Sequence, residues 1–283
     1  MTSRVVLLAT VTALAAPATS GVASRASSVP EVQRPSLSQE FVRYGTSGSM
    51  VVLQSGRFDR LVVVGANRSR FRDLPSSTFK IPNALIGLDR RLVKSPGDVL
   101  EDSHPDYELD GKPLLPIGCE ATLTFRAAFQ QSCIPIFQAL ARRVGRPAYE
   151  RTLRAMDYGN GRLDGTSVDD FWLHRPFGIS PREQVTFLER LRTGRLPVRR
   201  DAVRAVQDML VLEREDGVTL RGKTGFVFAQ KGRPQRGWWV GWVSRPGQVS
   251  VFALHMDMTR PELIPRRVTI GRAILRKLHA FGR

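Results

Sequence analysis

The chain has only two cysteines in 283 residues, which excludes a fold stapled by disulfides. Histidine is equally scarce. The four, at 104, 174, 255 and 279, share no metal-ligand spacing with each other or with the cysteines, so a zinc-dependent hydrolase is excluded and no metal is expected. Acidic residues are in the minority, 26 against 43 basic, for a net charge of +17. The basic residues form no long run and no basic–aromatic recognition motif, so nucleic acid is not an expected partner. The excess favours anionic small molecules instead. Internal repeats are absent. Past the first 24 residues no apolar run approaches the ~20 residues that cross a bilayer. The two cysteines lie 14 residues apart, which one continuous helix would stretch to about 20 Å. Two free, mostly buried thiols are therefore expected, although a bond stays open if Cys119 precedes the helix.

The 42% hydrophobic content is enough for a real core. Arg4 is the single charge before residue 25, Val5–Ala16 is an unbroken apolar or small run, and Ala18–Ser24 is all small residues and Val. That pattern predicts a secretory signal peptide over residues 1–24, with the boundary between 20 and 25. Export to the periplasm is expected, with no membrane attachment after cleavage. Residues 25–37, rich in Ser and Pro, read as a flexible lead-in to one domain over 38–283.

Within that domain Met50–Gln54 and Arg60–Val64 are β-branched runs around Ser55-Gly56-Arg57, a hairpin signal. Ser77–Arg90 predicts a helix and 91–116 a loop. Helical patterns follow at Ala121–Gln131, Ile134–Val144, Pro147–Met156, Pro181–Arg192 and Arg200–Arg214. Strands are predicted at Val218–Phe228, Arg236–Ser244 and Val249–Met256, then a closing helix at Pro265–Phe281. The order predicts an α+β fold: a central antiparallel sheet completed by both chain ends, flanking helices, and a helical insert over about 88–215.

Two short motifs name a chemistry. Ser77-Thr-Phe-Lys80 puts a hydroxyl and an amine one helical turn apart. A serine needs a base, and a lysine becomes one when burial lowers its pKa. Lys223-Thr224-Gly225 falls in a predicted strand. A serine, x-x-Lys and a distant Lys-Thr-Gly is the combination of β-lactamases and penicillin-binding proteins. On an edge strand Lys223 would supply charge, Thr224 would bind a carboxylate, and Gly225 would let substrate approach the backbone.

The segment Pro75-Ser-Ser-Thr-Phe-Lys-Ile-Pro-Asn83 resembles the nucleophile region of class D serine β-lactamases, the oxacillinases. So do Tyr158-Gly159-Asn160, Asp170-Phe171-Trp172-Leu173 and Gly237-Trp-Trp-Val-Gly-Trp242, in the family's order from about Ser38 to Leu278. The resemblance implies a β-lactamase/transpeptidase-like fold and a β-lactam substrate. It implies Ser77 as acylated nucleophile and Lys80 as general base, carbamylated to N6-carboxylysine by carbon dioxide or bicarbonate, the sole implied cofactor. Trp172 would hold the carbamate through its indole N–H. Ser132, in Ser132-Cys133-Ile134, would relay a proton to the leaving nitrogen. Ile134 would wall the carbamate where the family has valine. The Phe226 N–H would join that of Ser77 in an oxyanion hole. Arg267 would hold the substrate carboxylate, with Arg266 one residue away as the alternative. Cys119 departs from the family's tryptophan. The reading is hydrolysis of β-lactams; its rival is a sensor or penicillin-binding protein that acylates without turnover. Oligomeric state and substrate spectrum are not legible.

Overall fold

The computed structural model describes residues 29–100, 108–109, 112–113, 119, 123–229, 232 and 234–282. The expected signal peptide lies outside these residues. Among them no helix is long and apolar enough to cross a membrane.

The strands are β1 (Glu31–Gln33), β2 (Gly48–Ser55), β3 (Arg60–Val64), β4 (Glu108–Leu109), β5 (Lys112–Pro113), β6 (Val211–Glu215), β7 (Val218–Val227), β8 (Arg236–Arg245) and β9 (Gln248–Asp257). The helices are α1 (Gln39–Val42), α2 (Lys80–Asp89), α3 (Phe125–Gln131), α4 (Ile134–Val144), α5 (Arg146–Met156), α6 (Pro181–Arg192), α7 (Arg200–Met209) and α8 (Leu263–Lys277). Seven strands form one sheet in the order β1-β3-β2-β9-β8-β7-β6, so the two chain ends do meet in it. The fold is α+β, as expected.

The interior strand β8 shows how the sheet divides two cores. Side chains alternate across a strand. Trp238, Val240 and Trp242 join the cluster beneath the helical part. Trp239 and Val243 join the opposite cluster, with Phe252, Leu254 and the α8 residues Ile270, Ile274 and Leu275. A strand covered on both faces reads as a continuous apolar run, which is why these tryptophans are sheet core. The helix α2 is buried from Lys80 to Leu88. It is walled by neighbouring elements on every side, and that fact sets the chemistry of its first residue.

Several expectations are corrected. The sheet is mixed, because β1 pairs parallel with β3. This strand lies within 25–37, where Ser and Pro had suggested only a lead-in; Val32 pairs with Val62 at the sheet edge. The helix expected to run to Arg214 stops at Met209, and Val211–Glu215 is strand β6, paired with β7. The turn joining them, Asp216-Gly217, has positive φ at both residues (47° and 75°), a conformation that Asp-Gly favours in tight hairpins. The 91–116 loop contains the two-residue ribbon β4–β5.

The cysteines are a further correction. Cys119 and Cys133 form a disulfide, with Cα atoms 5.2 Å apart. They do not share a helix: α3 starts at Phe125, after Cys119, and Cys133 caps α4 beyond a break.

Candidate active site

The nucleophile segment is a 3-10 turn, Ser76–Phe79, that runs into α2. Ser76 takes φ of 48°, the left-handed region that costs any residue but glycine. The surroundings hold it there. The Thr78 hydroxyl donates to Pro75 O at 2.7 Å and accepts from Gln184 Nε2 at 2.9 Å. The Trp238 indole donates to Leu74 O at 2.9 Å. Ser77 is left half-buried between these anchors.

Lys80, one turn on, is 2% exposed. Its Nζ has no hydrogen-bond partner among the described residues. The nearest electron-rich surface is the Phe137 ring, 5.2 Å from Nζ. Burial, and then the charge of Lys223, push its pKa well below the ordinary lysine value. The amine is therefore held toward its neutral form, as a base or a carbon dioxide acceptor must be. An orphaned buried nitrogen fits a group that would add polar atoms there.

Lys223 stands on β7, where the strand's outer edge becomes open. Strand β6 covers β7 only as far as Arg221. Lys223 donates to the Ser132 hydroxyl and, at 3.1 Å, to Thr224 O. Burial and the charge of Arg267 lower its pKa to about 7. Ser132 follows α3 in a left-handed conformation, φ 64° and ψ 30°. Ile134, half-buried, opens α4, the helix that carries Phe137.

Gly225 has a packing reason of its own. A Cβ there would lie 3.0 Å from Thr78 Cγ2, 3.1 Å from Pro75 O and 3.2 Å from Trp238 Cβ. The absent side chain admits the serine turn itself against the strand. Phe226 pairs with Gly237 on β8, where a Cβ would sit 3.3 Å from Arg267 Cδ. The Arg267 stem thus crosses the sheet beside Phe226. Arg266, by contrast, is exposed and stacks over Tyr44 at 5.1 Å. Arg267 is the arginine turned toward Lys223. Burial lowers its pKa to about 10, its Nε has no partner among the described residues, and its Nη1 reaches only Met258 Sδ, at 3.7 Å.

Trp172 is buried in the short helix Phe171–Leu173, stacked on Phe79 at 5.2 Å and 10°. Tyr158 meets Phe79 edge-on at 5.8 Å. Asn160 Nδ2 donates to Pro176 O at 2.7 Å, so Tyr158-Gly159-Asn160 shapes a loop under the site. Among the described residues no cluster could hold a metal.

Sequence reasoning missed one cluster beside the site. Asp73, four residues before Ser77, accepts from Arg236 Nε, from Arg236 Nη2 at 3.1 Å and from Arg175 Nη2 at 3.0 Å. It also lies 3.0 Å from His255 Nε2. No spacing links these residues in the sequence. An Asp immediately before the apolar Leu74-Pro75 was the available hint.

The fold and these residues define a serine acyl-transfer protein of the penicillin-binding kind. The penicillin binding protein transpeptidase domain family matches residues 65–276. β-Lactamase OXA-10 of Pseudomonas aeruginosa is 36% identical over 210 residues, 74% of this chain and 76% of the relative. β-Lactamase OXA-48 of Klebsiella pneumoniae is 35% identical over 204 residues, 72% of this chain and 73% of the relative. Among solved structures, the class D β-lactamase FUS-1 (OXA-85) of Fusobacterium nucleatum subsp. polymorphum superposes with a TM-score of 0.78 at 29% identity, covering 88% of this chain and 99% of that one. The class D β-lactamase YbXI from Nostoc gives 0.78 at 28% identity, covering 86% and 98%. The chain belongs to the class D serine β-lactamases.

Proposed function

We propose that the protein hydrolyses β-lactam antibiotics through an acyl-enzyme on Ser77. The observation that carries this reading is the Lys80 amine, buried one turn from Ser77 and without a hydrogen-bond partner among the described residues. The β-lactamase names of its relatives support the substrate class.

Two basic groups, Lys223 and Arg267, together with the half-buried Thr224 hydroxyl, would take the substrate carboxylate. Buried cations whose pKa values are depressed by burial gain most from an anion. The Ser77 hydroxyl would attack the strained amide carbonyl, with its proton passing toward the Lys80 site. The backbone N–H groups of Ser77 and Phe226 would face the developing oxyanion. Ser132, already hydrogen-bonded to Lys223, would pass a proton to the departing nitrogen. Carbon dioxide, added to the neutral Lys80 amine, would supply an anionic oxygen base, with Trp172 and Ile134 beside it. Export to an oxidising compartment such as the periplasm is supported by the Cys119–Cys133 bond, which such compartments preserve.

The test is steady-state hydrolysis of benzylpenicillin with and without added bicarbonate. Sustained turnover raised by bicarbonate is expected. One stoichiometric burst followed by silence would mean an acyl trap of the sensor or penicillin-binding kind. Turnover indifferent to bicarbonate would leave hydrolysis standing and remove the carbon dioxide requirement.

A further inference from the structure

We infer that the Cys119–Cys133 disulfide is a positioning element of the active site, holding Ser132 in its relay position, so that rapid acylation needs the oxidised chain. The inference rests on the acyl-transfer reading above and assigns it one further part.

Ser132 sits between two helices, and its backbone is left-handed, at φ 64°. A non-glycine residue stays in that region only where its surroundings fix it. The local hydrogen bonds are few. Ser132 N donates to Phe129 O at 3.3 Å, and Cys133 N to Ala128 O at 2.9 Å. The Ser132 hydroxyl is held from the far side by Lys223 alone among the described side chains. Lys223 is itself a titrating group whose pKa lies near 7. The one covalent restraint is on the next residue. Cys133 is 1% exposed and bonded to Cys119, which precedes α3 in the chain.

The tether's effect is local to the relay. Cys133 is the N-cap of α4, whose first residue is Ile134 and whose Phe137 ring lies 5.2 Å from Lys80 Nζ. Helix α4 is anchored by its own buried Ile136, Phe137, Leu140 and Ala141, so the segment that depends on the bond is the Ser132 turn. Cleavage would free the Ser132 peptide to leave the left-handed region. A hydroxyl displaced by an ångström is enough to slow a proton transfer by an order of magnitude or more.

The experiment compares acylation of the oxidised chain, the chain reduced with dithiothreitol (itself oxidised to its cyclic disulfide), and the C119A/C133A variant. Each is made with Ser132 intact and with Ser132→Ala. Acylation is followed by fluorescent-penicillin labelling in single turnover, and the oxidised state by intact mass. Reduction is expected to slow acylation by about tenfold with Ser132 present. It should have little further effect in the Ser132→Ala background, because the group being positioned is gone. Hydrolysis of acyl-enzyme formed before reduction should be unchanged, and reoxidation should restore the wild-type rate.

A bond that only staples the fold would lower the melting temperature and leave acylation at 25 °C alone, or slow both backgrounds equally. Either result overturns the inference, as does an intact mass showing two thiols. If C119A/C133A does not fold, reduction of the wild-type chain still decides. Acylation without turnover would sink the hydrolase reading but not this comparison. No acylation in any form would sink both.

Discussion

A lysine amine buried away from solvent, with no hydrogen-bond partner among the described residues, has lost what stabilises its charge. Lys80 is in that state, and Lys223 adds like-charge repulsion. A folded-state pKa below the ordinary value means the amine sheds its proton as pH rises through that lowered value. Lys80→Ala removes the base, so penicillin should accumulate as acyl-enzyme with turnover reduced by at least about a hundredfold at any bicarbonate concentration. Mass spectrometry of the trapped adduct checks this, and normal turnover would refute the assignment. Lys223 must do the reverse and keep its proton. Its pKa of about 7 means charge is lost as pH rises through neutrality. The profile of kcat/KM should therefore rise on the acid side with Lys80 and fall above about pH 7 with Lys223. Added bicarbonate should recover part of the acid loss. Lys223→Arg stays charged, so its alkaline fall should vanish even though its maximum is lower.

Strand β7 and the serine turn work as one element. The free edge beyond Arg221 and the missing Cβ at Gly225 let the turn lie on the strand. Gly225→Ala would push a methyl against Pro75 O at 3.1 Å and Thr78 Cγ2 at 3.0 Å. Pro75 O is already fixed by the Thr78 hydroxyl, so the turn must move as a whole. Overpacking of this kind costs about 1–3 kcal/mol of stability. The larger effect should be on rate, a loss of about a hundredfold in kcat/KM as Ser77 shifts from the oxyanion donors. Urea unfolding and benzylpenicillin kinetics on one preparation would separate the two. Full activity in G225A would show that the strand and turn adjust freely.

At the scale of the molecule, Asp73 ties the nucleophile segment to β8, β9 and the 175–179 loop. Burial alone would raise its pKa. The hydrogen bond and charge of His255, then Arg236, overcome burial and bring it from 3.8 to about 2. His255 is itself held below its ordinary pKa, by burial first. Its Nε2 faces Asp73 at 3.0 Å. A depressed carboxylate stabilises the fold above its unfolded pKa. That contribution, about 2 kcal/mol, is lost as pH falls from about 4 through about 2. Asp73→Asn should cost about 3–5 kcal/mol at neutral pH by stranding Arg236. It should also flatten the fall in unfolding free energy over that acid window. Urea titrations at stepped pH would show both, and an unchanged acid slope would remove Asp73 from the account.

Local patterns determined much of this protein. β-Branched and apolar runs marked β2, β3, β8 and β9, because a strand covered on one or both faces must be apolar there. Three-residue spacing put Ser77 and Lys80 on one turn, and the family motifs named the remaining site residues. Their assembly belongs to the tertiary structure. Whether Val211–Glu215 is helix or strand depended on an open edge of β7 to pair with. Gly225 owes its identity to a turn about 150 residues earlier in the chain, an approach no local signal records. The cysteines were read through helix rise, but the break at Ser132 brought them together. Asp73, Arg175, Arg236 and His255 meet only because the sheet and the loop close over one another. Burial and charge pairing are properties of that closure, and so are the lowered pKa values of Lys80 and Lys223.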